Sequence, residues 1–238
     1  MSRSTQIIIA MSIFLNVLLI GIGWWAVRKL GGWEATMYRL RHKGLSGVYE
    51  SRKSLFGELK TTREDIIWLG DSLTEKGEWS ELFGDGRHKN RGISGDYAAG
   101  VLERLPVILR NQPKAIFLMI GTNDLLMGMS PTNLLGYYRK VVEKILEESP
   151  DSELVIESVL PINDKEWVLP AKNKAIFMFN EKLQELAVEK HLVYVDLYGK
   201  FVDETGRLDK KYTHDGIHLN GAAYLVWKKT IDPLVEQL

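Results

Sequence analysis

The chain has 238 residues, of which 45% are hydrophobic and 26% charged, a composition typical of a globular protein that buries one sizeable core. Its 31 basic and 31 acidic residues balance, so no overall positive field attracts nucleic acid, and we predict no nucleic-acid partner. The absence of cysteine excludes disulfides, thiolate metal sites and a cysteine nucleophile.

The first predicted element is an apolar helix from Ile7 to Val27 that contains no charged residue. About 21 residues at 1.5 Å rise span about 31 Å, which matches the hydrocarbon core of a bilayer. Trp24 and Trp25 lie where an aromatic belt is expected and where a cleavable signal peptide needs small residues. We therefore predict a single-pass membrane anchor over residues 1–27, and the flanking charges leave the membrane side of the rest of the chain open.

Behind this helix the pattern changes. Gly31 and Gly32 interrupt the helical pattern, and a basic stretch continues to about Lys43. Glycine pairs and basic residues of this kind are typical of a connecting segment. We predict a juxtamembrane linker over residues 28–44 and one catalytic domain over residues 45–238.

Short apolar runs alternate with helical patterns from Leu45 onwards. The runs predict buried strands over Ile66–Leu69, Lys89–Ile93, Ala115–Ile120, Leu154–Val159 and Leu192–Val195. Apolar residues at i, i+3 and i+4 spacings predict helices over Ala98–Leu109, Asn133–Glu148, Ala175–Lys190 and Ala222–Leu238. Alternating strands and helices predict a three-layer α/β/α domain with a five-stranded parallel sheet of flavodoxin-like order.

In such sheets ligands bind beyond the carboxyl ends of the strands, so the polar segments that follow the strands are candidate site residues. Three of these polar segments follow predicted strands, and a fourth polar segment precedes the last predicted helix. These segments are Gly70-Asp71-Ser72, Ser94-Gly95-Asp96, Gly121-Thr122-Asn123-Asp124 and Asp215-Gly216-Ile217-His218. Each segment alone can be explained as a turn or a helix cap, but four such segments at one edge of the sheet predict an active site.

The four segments contain what acyl transfer needs. The Ser72 hydroxyl becomes a nucleophile when a base such as His218 takes its proton, and Asp215 can orient that imidazole. Asp215 and His218 are three residues apart, so one turn can place both side chains on the same side. Gly95 permits close backbone approach and Asn123 carries a side-chain amide, and both can serve an oxyanion.

In order along the chain, four stretches resemble the blocks of the SGNH (GDSL-type) hydrolase superfamily: Gly70–Leu73, Asn90–Asp96, Gly121–Asp124 and Asp215–His218. The resemblance covers residues from about Leu45 to the C-terminus and implies that Ser72 is the nucleophile, with Asp215 and His218 as acid and base. It also implies that Gly95 and Asn123 are oxyanion residues. Within the superfamily, the closest similarity is to the group around platelet-activating-factor acetylhydrolase and bacterial lysophospholipase-like or carbohydrate acetyl esterases.

We therefore predict a membrane-anchored serine ester hydrolase whose partner is a small-molecule ester, either a lipid or an acylated sugar. The chemistry needs no metal and no organic cofactor. Two alternatives are an acyltransferase that uses the same residues and a catalytically silent, membrane-tethered binding domain. The polar loop from Asn163 to Trp167 either shapes a substrate pocket or is a solvated connection. The acyl length, the alcohol and the oligomeric state are left open by the sequence.

Overall fold

A computed structural model describes residues 2–29, 46–163 and 172–238. The chain divides into two compact units, Met1–Gly47 and Val48–Leu238. Most of the predicted linker over residues 28–44 lies outside the described residues, as do residues 164–167 of the polar loop that begins at Asn163. The predicted division into anchor, linker and catalytic domain therefore stays a prediction.

The described part of the first unit is essentially one helix, α1, at Arg3–Lys29. All its side chains from Arg3 to Trp25 are exposed, which is unlike the core helix of a soluble protein. By length and composition, the 23 residues Arg3–Trp25 can cross a membrane, and a signal sequence can have the same length and composition. The predicted apolar helix is thus present and is a candidate membrane span.

The second unit alternates strands and helices as the sequence predicts. Its strands are β1 (Ile66–Gly70), β2 (His88–Gly92), β3 (Ala115–Met119), β4 (Glu153–Glu157) and β5 (Val193–Val195). The helices before β3 are α2 (Ser46–Glu58), α3 (Ser72–Glu75), α4 (Trp79–Phe83) and α5 (Ala98–Leu109). The later helices are α6 (Thr122–Leu126), α7 (Pro131–Glu148), α8 (Lys172–Lys190), α9 (Tyr198–Phe201), a 3₁₀ turn (Lys210–Tyr212) and α10 (Gly221–Val235).

The five strands form one parallel sheet in the order β2-β1-β3-β4-β5, which is the predicted flavodoxin-like order. The register pairs Gly70 of β1 with Gly92 of β2 and with Met119 of β3. The carboxyl ends of these three strands therefore lie side by side, and the segments that follow them start from one edge of the sheet.

Successive side chains of each strand point to opposite faces of the sheet. Helices pack on both faces, so the domain has two hydrophobic cores. Ile67, Leu69 and their neighbours on one face pack against α5, α7 and α8. Ile66 and Trp68 belong to the other core, which is rich in aromatic rings and includes Trp79 and α10. The fold is the predicted three-layer α/β/α arrangement.

Candidate active site

Ser72 is the first residue of α3 and follows β1 after a single residue, Asp71. The Asp71 carboxylate caps the helix by accepting a hydrogen bond from the Leu73 backbone N–H at 3.0 Å. A Cβ atom at Gly70 would lie 2.3 Å from the Met119 carbonyl oxygen, so this corner requires glycine. Helix capping and presentation of a serine are therefore two functions of the same short turn.

Side chains from outside α3 hold this four-residue helix in place. The Tyr224 hydroxyl of α10 donates a hydrogen bond to the Leu73 carbonyl oxygen at 2.7 Å. The Asn90 amide of β2 donates to the carbonyl oxygens of Thr74 and Glu75, at 3.0 and 2.9 Å. A helix this short has little stability of its own, so these contacts fix the direction in which Ser72 projects.

The structure brings Ser72, His218 and Asp215 into one hydrogen-bonded chain. The Ser72 Oγ atom lies 3.1 Å from His218 Nε2, although the two residues are 146 positions apart. The His218 Nδ1 atom lies 2.6 Å from Asp215 Oδ2. An ionised Asp215 accepts a hydrogen bond from the N–H group at Nδ1, which leaves Nε2 without a proton and able to act as the base that faces the serine hydroxyl.

The Asp215 carboxylate is held by its own turn. Its Oδ1 atom accepts hydrogen bonds from the backbone N–H groups of Ile217 at 2.9 Å and His218 at 2.7 Å. Partial burial raises the pKa of Asp215, but the hydrogen bonds from the His218 ring and from these N–H groups outweigh that effect and hold the pKa well below its ordinary value. Asp215 is therefore ionised across the neutral range, as a partner for an imidazolium ion must be.

Gly95 and Asn123 are also brought to this edge of the sheet. Gly95 has φ of +77°, a left-handed conformation that glycine adopts at little cost. The Asn123 amide donates to the carbonyl oxygen of Asp96, the residue after Gly95, at 2.9 Å. The loop after β2 is thus joined to the first turn of α6, which contains Asn123.

A buried arginine joins the ends of β1 and β2. Arg104 of α5, whose side chain is only 1% exposed, pairs its Nε atom with Asp96 Oδ2 at 2.8 Å. Its remaining nitrogens donate to the carbonyl oxygens of Arg91 at 2.8 Å and Gly70 at 3.0 Å. One guanidinium thus holds the backbone immediately before the Asp71-Ser72 turn and the loop that contains Gly95.

Two further carboxyl groups are buried at the same edge. Burial raises the pKa of Asp71 to about 7 and that of Asp124 to about 8, and nearby carboxylates add to the effect.

Arg104 is not among the site residues predicted from the sequence. The signal was present, because this arginine lies on the apolar face of a predicted helix, between Val101 and Leu105.

The family comparison identifies the class of protein. Residues 68–226 match the model of the GDSL-like Lipase/Acylhydrolase family, so the chain belongs to that family. The match spans the segments that contain Ser72, Gly95, Asn123, Asp215 and His218, and it confirms the resemblance predicted from them. The chain is therefore an ester hydrolase.

The named relatives agree with this class. Platelet-activating factor acetylhydrolase IB subunit alpha2 from Rattus norvegicus is 28% identical over 188 residues, which are 76% of this chain and 80% of that protein. The subunit from Homo sapiens has the same identity and coverage.

Among solved structures, a Streptococcus pneumoniae protein provisionally described as a platelet activating factor superposes with a TM-score of 0.76 at 28% identity. The likeness covers 84% of this chain and 99% of that one. A GDSL-like lipase from Bacteroides thetaiotaomicron shares the fold, with a TM-score of 0.69 at 22% identity over 79% of this chain and 97% of that one.

Proposed function

We propose that Ser72, His218 and Asp215 form the catalytic triad of this ester hydrolase. The observation that carries the proposal is the continuous chain of contacts from Ser72 Oγ to His218 Nε2, and from His218 Nδ1 to Asp215 Oδ2. His218 takes the proton of Ser72 as the hydroxyl oxygen attacks the ester carbonyl carbon, and Asp215 stabilises the imidazolium that forms. His218 then returns the proton to the leaving alcohol and activates the water that cleaves the acyl-enzyme.

The oxyanion of the tetrahedral intermediate is bound, in this proposal, by the backbone N–H groups of Ser72 and Gly95 and by the Asn123 amide. The Asn123 nitrogen carries two hydrogens and donates one of them to Asp96, so the second can serve the oxyanion. Donors fixed in this way need no rearrangement as negative charge develops.

The substrate is proposed to be an ester with a short acyl group. The relatives named above are subunits of platelet-activating factor acetylhydrolase, which favours an acetyl or similarly small acyl group. The proposed alcohol is a lipid, because a membrane anchor brings the site near lipids. An acylated sugar remains the alternative alcohol. The exposure of Asp215 and His218 admits water to the site, which favours hydrolysis over transfer to a second alcohol.

Helix α1 is proposed to be an uncleaved membrane anchor. It is long enough to span a bilayer, and its side chains from Arg3 to Trp25 are exposed in the isolated chain. Trp24 and Trp25 fit an interfacial belt better than a signal-peptide cleavage site. The full chain should therefore stay with membranes after a carbonate wash, and a protein recovered without residues 1–27 would contradict the anchor.

The test of the triad is the variant Ser72→Ala, made in the full chain and solubilised in detergent. Wild-type protein should hydrolyse nitrophenyl acetate and react covalently with a fluorophosphonate probe, whereas Ser72→Ala should do neither at an unchanged melting temperature. Turnover that persists in Ser72→Ala would refute the assignment.

Chain-length profiling from acetate to palmitate tests the substrate class. A preference for acetate fits the proposed short acyl group, and an optimum at long chains would overturn it. Acetylated lipid and acetylated sugar substrates then distinguish the two alcohols.

A further inference from the structure

We propose that helix α2 is a positioning element of the active site, and that Arg52 is the residue through which it acts. The inference rests on the proposed triad and oxyanion donors. Helix α2 ends at Glu58, before residue 68, where the family match begins, and it follows the segment that connects to α1. It therefore adds contacts from outside the matched region to the segment that carries Gly95.

Arg52 contacts both sides of the gap between α3 and the end of β2. Its Nε atom lies 3.0 Å from Glu75 Oε1, as an ion pair without the alignment of a hydrogen bond. Its terminal nitrogen donates to the carbonyl oxygen of Gly92 at 3.2 Å. Gly92 is the last residue of β2, and Glu75 is the last residue of the helix that Ser72 begins.

Glu75 passes this contact to the residue next to Gly95. Its Oε2 atom accepts a hydrogen bond from the Ser94 backbone N–H at 2.8 Å and a second one from the Ser94 hydroxyl. Arg52, Glu75 and Ser94 thus form one connected chain of contacts. Its far end is bonded directly to Gly95, whose N–H is a proposed oxyanion donor.

Helix α2 is packed firmly enough to serve as a support. Phe56 is buried, and the guanidinium groups of Arg52, Arg91 and Arg104 lie 5.1, 5.0 and 5.8 Å from its ring centroid. The Tyr49 hydroxyl donates to the carbonyl oxygen of Gly100 in α5 at 3.0 Å. The Phe56 ring that packs α2 against the domain therefore also contacts Arg104, which joins β1 to β2.

The consequence is specific to the transition state. If Arg52 is lost, Glu75 keeps its bonds to Ser94, but the carboxylate and the Gly92 carbonyl oxygen lose the cation that joins them. The Gly95 N–H is then aimed less accurately at the oxyanion, which exists only in the transition state and the intermediate. Such a defect lowers kcat and leaves KM unchanged.

The experiment compares Arg52→Ala with Lys53→Ala in the full chain, both assayed on nitrophenyl acetate. Lys53 lies on the same helix and pairs with Glu103 of α5, so it controls for a general loosening of α2. Complete removal of an oxyanion donor costs about 100-fold or more in kcat, so a displaced donor should cost about 10-fold. We expect that loss in Arg52→Ala with KM within about twofold, and near wild-type kcat in Lys53→Ala.

Two further variants separate positioning from folding. Arg52→Lys keeps the positive charge and should recover part of the lost kcat. The double variant Arg52→Ala/Glu75→Gln should be about as active as Glu75→Gln alone, because residues of one chain of contacts are not additive. Equal kcat losses in Arg52→Ala and Lys53→Ala, a change in KM alone, or fully additive losses would each overturn the inference.

The fluorophosphonate reaction distinguishes the two proposals. If wild-type protein is not labelled at Ser72, the proposed triad fails. If wild-type protein is labelled and Arg52→Ala reacts as fast as Lys53→Ala, the triad stands and only the role of Arg52 is overturned.

Discussion

The two halves of the proposed site are supported by different kinds of structure. Ser72 begins α3 just after β1, and Gly95 lies on the loop after β2. The buried Arg104 side chain contacts residues from β1, β2 and that loop. Asp215 and His218 lie on a surface loop, with side chains 45% and 29% exposed, and are held mainly by hydrogen bonds within that loop. The position of the nucleophile therefore depends on the core of the fold, whereas the position of the base depends on one turn.

The pKa values of carboxyl groups also differ between the buried part of the domain and the loop that contains Asp215. The buried part of the domain around the sheet, which we call the framework, contains three carboxyl groups whose pKa is raised by burial. The pKa is about 7 for Asp71, about 8 for Asp124 and about 8 for Glu157. Hydrogen bonds lower the pKa of Asp215 on the loop, despite its partial burial. Substitutions of the partly exposed loop side chains should therefore affect mainly activity, and substitutions in the framework should cost more stability.

The largest expected effect is on the loop side. His218→Ala removes the general base and should lower kcat by about 10⁴-fold, while the melting temperature stays within about 2 °C because the side chain is partly exposed. His214→Ala, an exposed neighbour on the same loop, is the matched control and should keep nearly full activity. A large drop in melting temperature with His218→Ala would show that the loop also supports the fold.

On the framework side, Arg104→Met should destabilise the domain by about 3–5 kcal/mol, because Asp96 would be left buried without its charged partner. Two backbone carbonyl oxygens would also lose their donor. Denaturant unfolding of the detergent-solubilised chain measures this loss. An effect below about 1 kcal/mol would show that the buried ion pair does not hold the framework together.

The sequence predicted the sheet and the main helices because their side chains follow simple periodicities. The strand prediction at Ile66–Leu69 and the helix prediction at Ala98–Leu109 agree with β1 and α5 to within one residue. Helix α2 was not predicted, because Phe56 is buried while Val48 and Leu55 on the same helix are exposed, so it has no continuous apolar face.

For the site, the sequence predicted which residues would come together but not what would hold them. Ser72 and His218 could be paired because a serine nucleophile needs an imidazole base and because the motifs occur in the order of the SGNH blocks. The contacts of Arg52 with Glu75 and Gly92 could not be predicted, because they join helices and strands whose relative placement only the folded chain determines. The site roles themselves stay predictions until the variants are measured.

A smaller effect should appear in the pH dependence of stability. Glu157 is buried and accepts a hydrogen bond from Trp227 Nε1 at 2.7 Å, and burial raises its pKa to about 8. An unfolded glutamic acid has a pKa of about 4.3, so between these values the folded state holds a proton that the unfolded state has lost. The stability that this group contributes is complete below the unfolded pKa and is lost as pH rises through the folded pKa.

Glu157→Gln keeps the acceptor for Trp227 and removes the ionisation. Between pH 6 and 8, wild-type protein should lose about 2 kcal/mol more stability than this variant. Unfolding at several pH values measures the difference. Parallel curves for the two proteins would show that Glu157 is not protonated in the fold.

The smallest expected effect on stability concerns the contact between α10 and α3, the helix that begins with Ser72. Tyr224→Phe removes the donor to the Leu73 carbonyl oxygen and should cost about 1 kcal/mol of stability. Tyr138→Phe is the matched control, because its hydroxyl donates at 3.2 Å to the carbonyl oxygen of Leu118 in β3 rather than to the helix of Ser72. If the framework aims the nucleophile, Tyr224→Phe should lower kcat about threefold and Tyr138→Phe should leave it unchanged, at similar losses of stability. Equal kcat values would mean that the remaining contacts of α3, among them those from Asn90, suffice to aim Ser72.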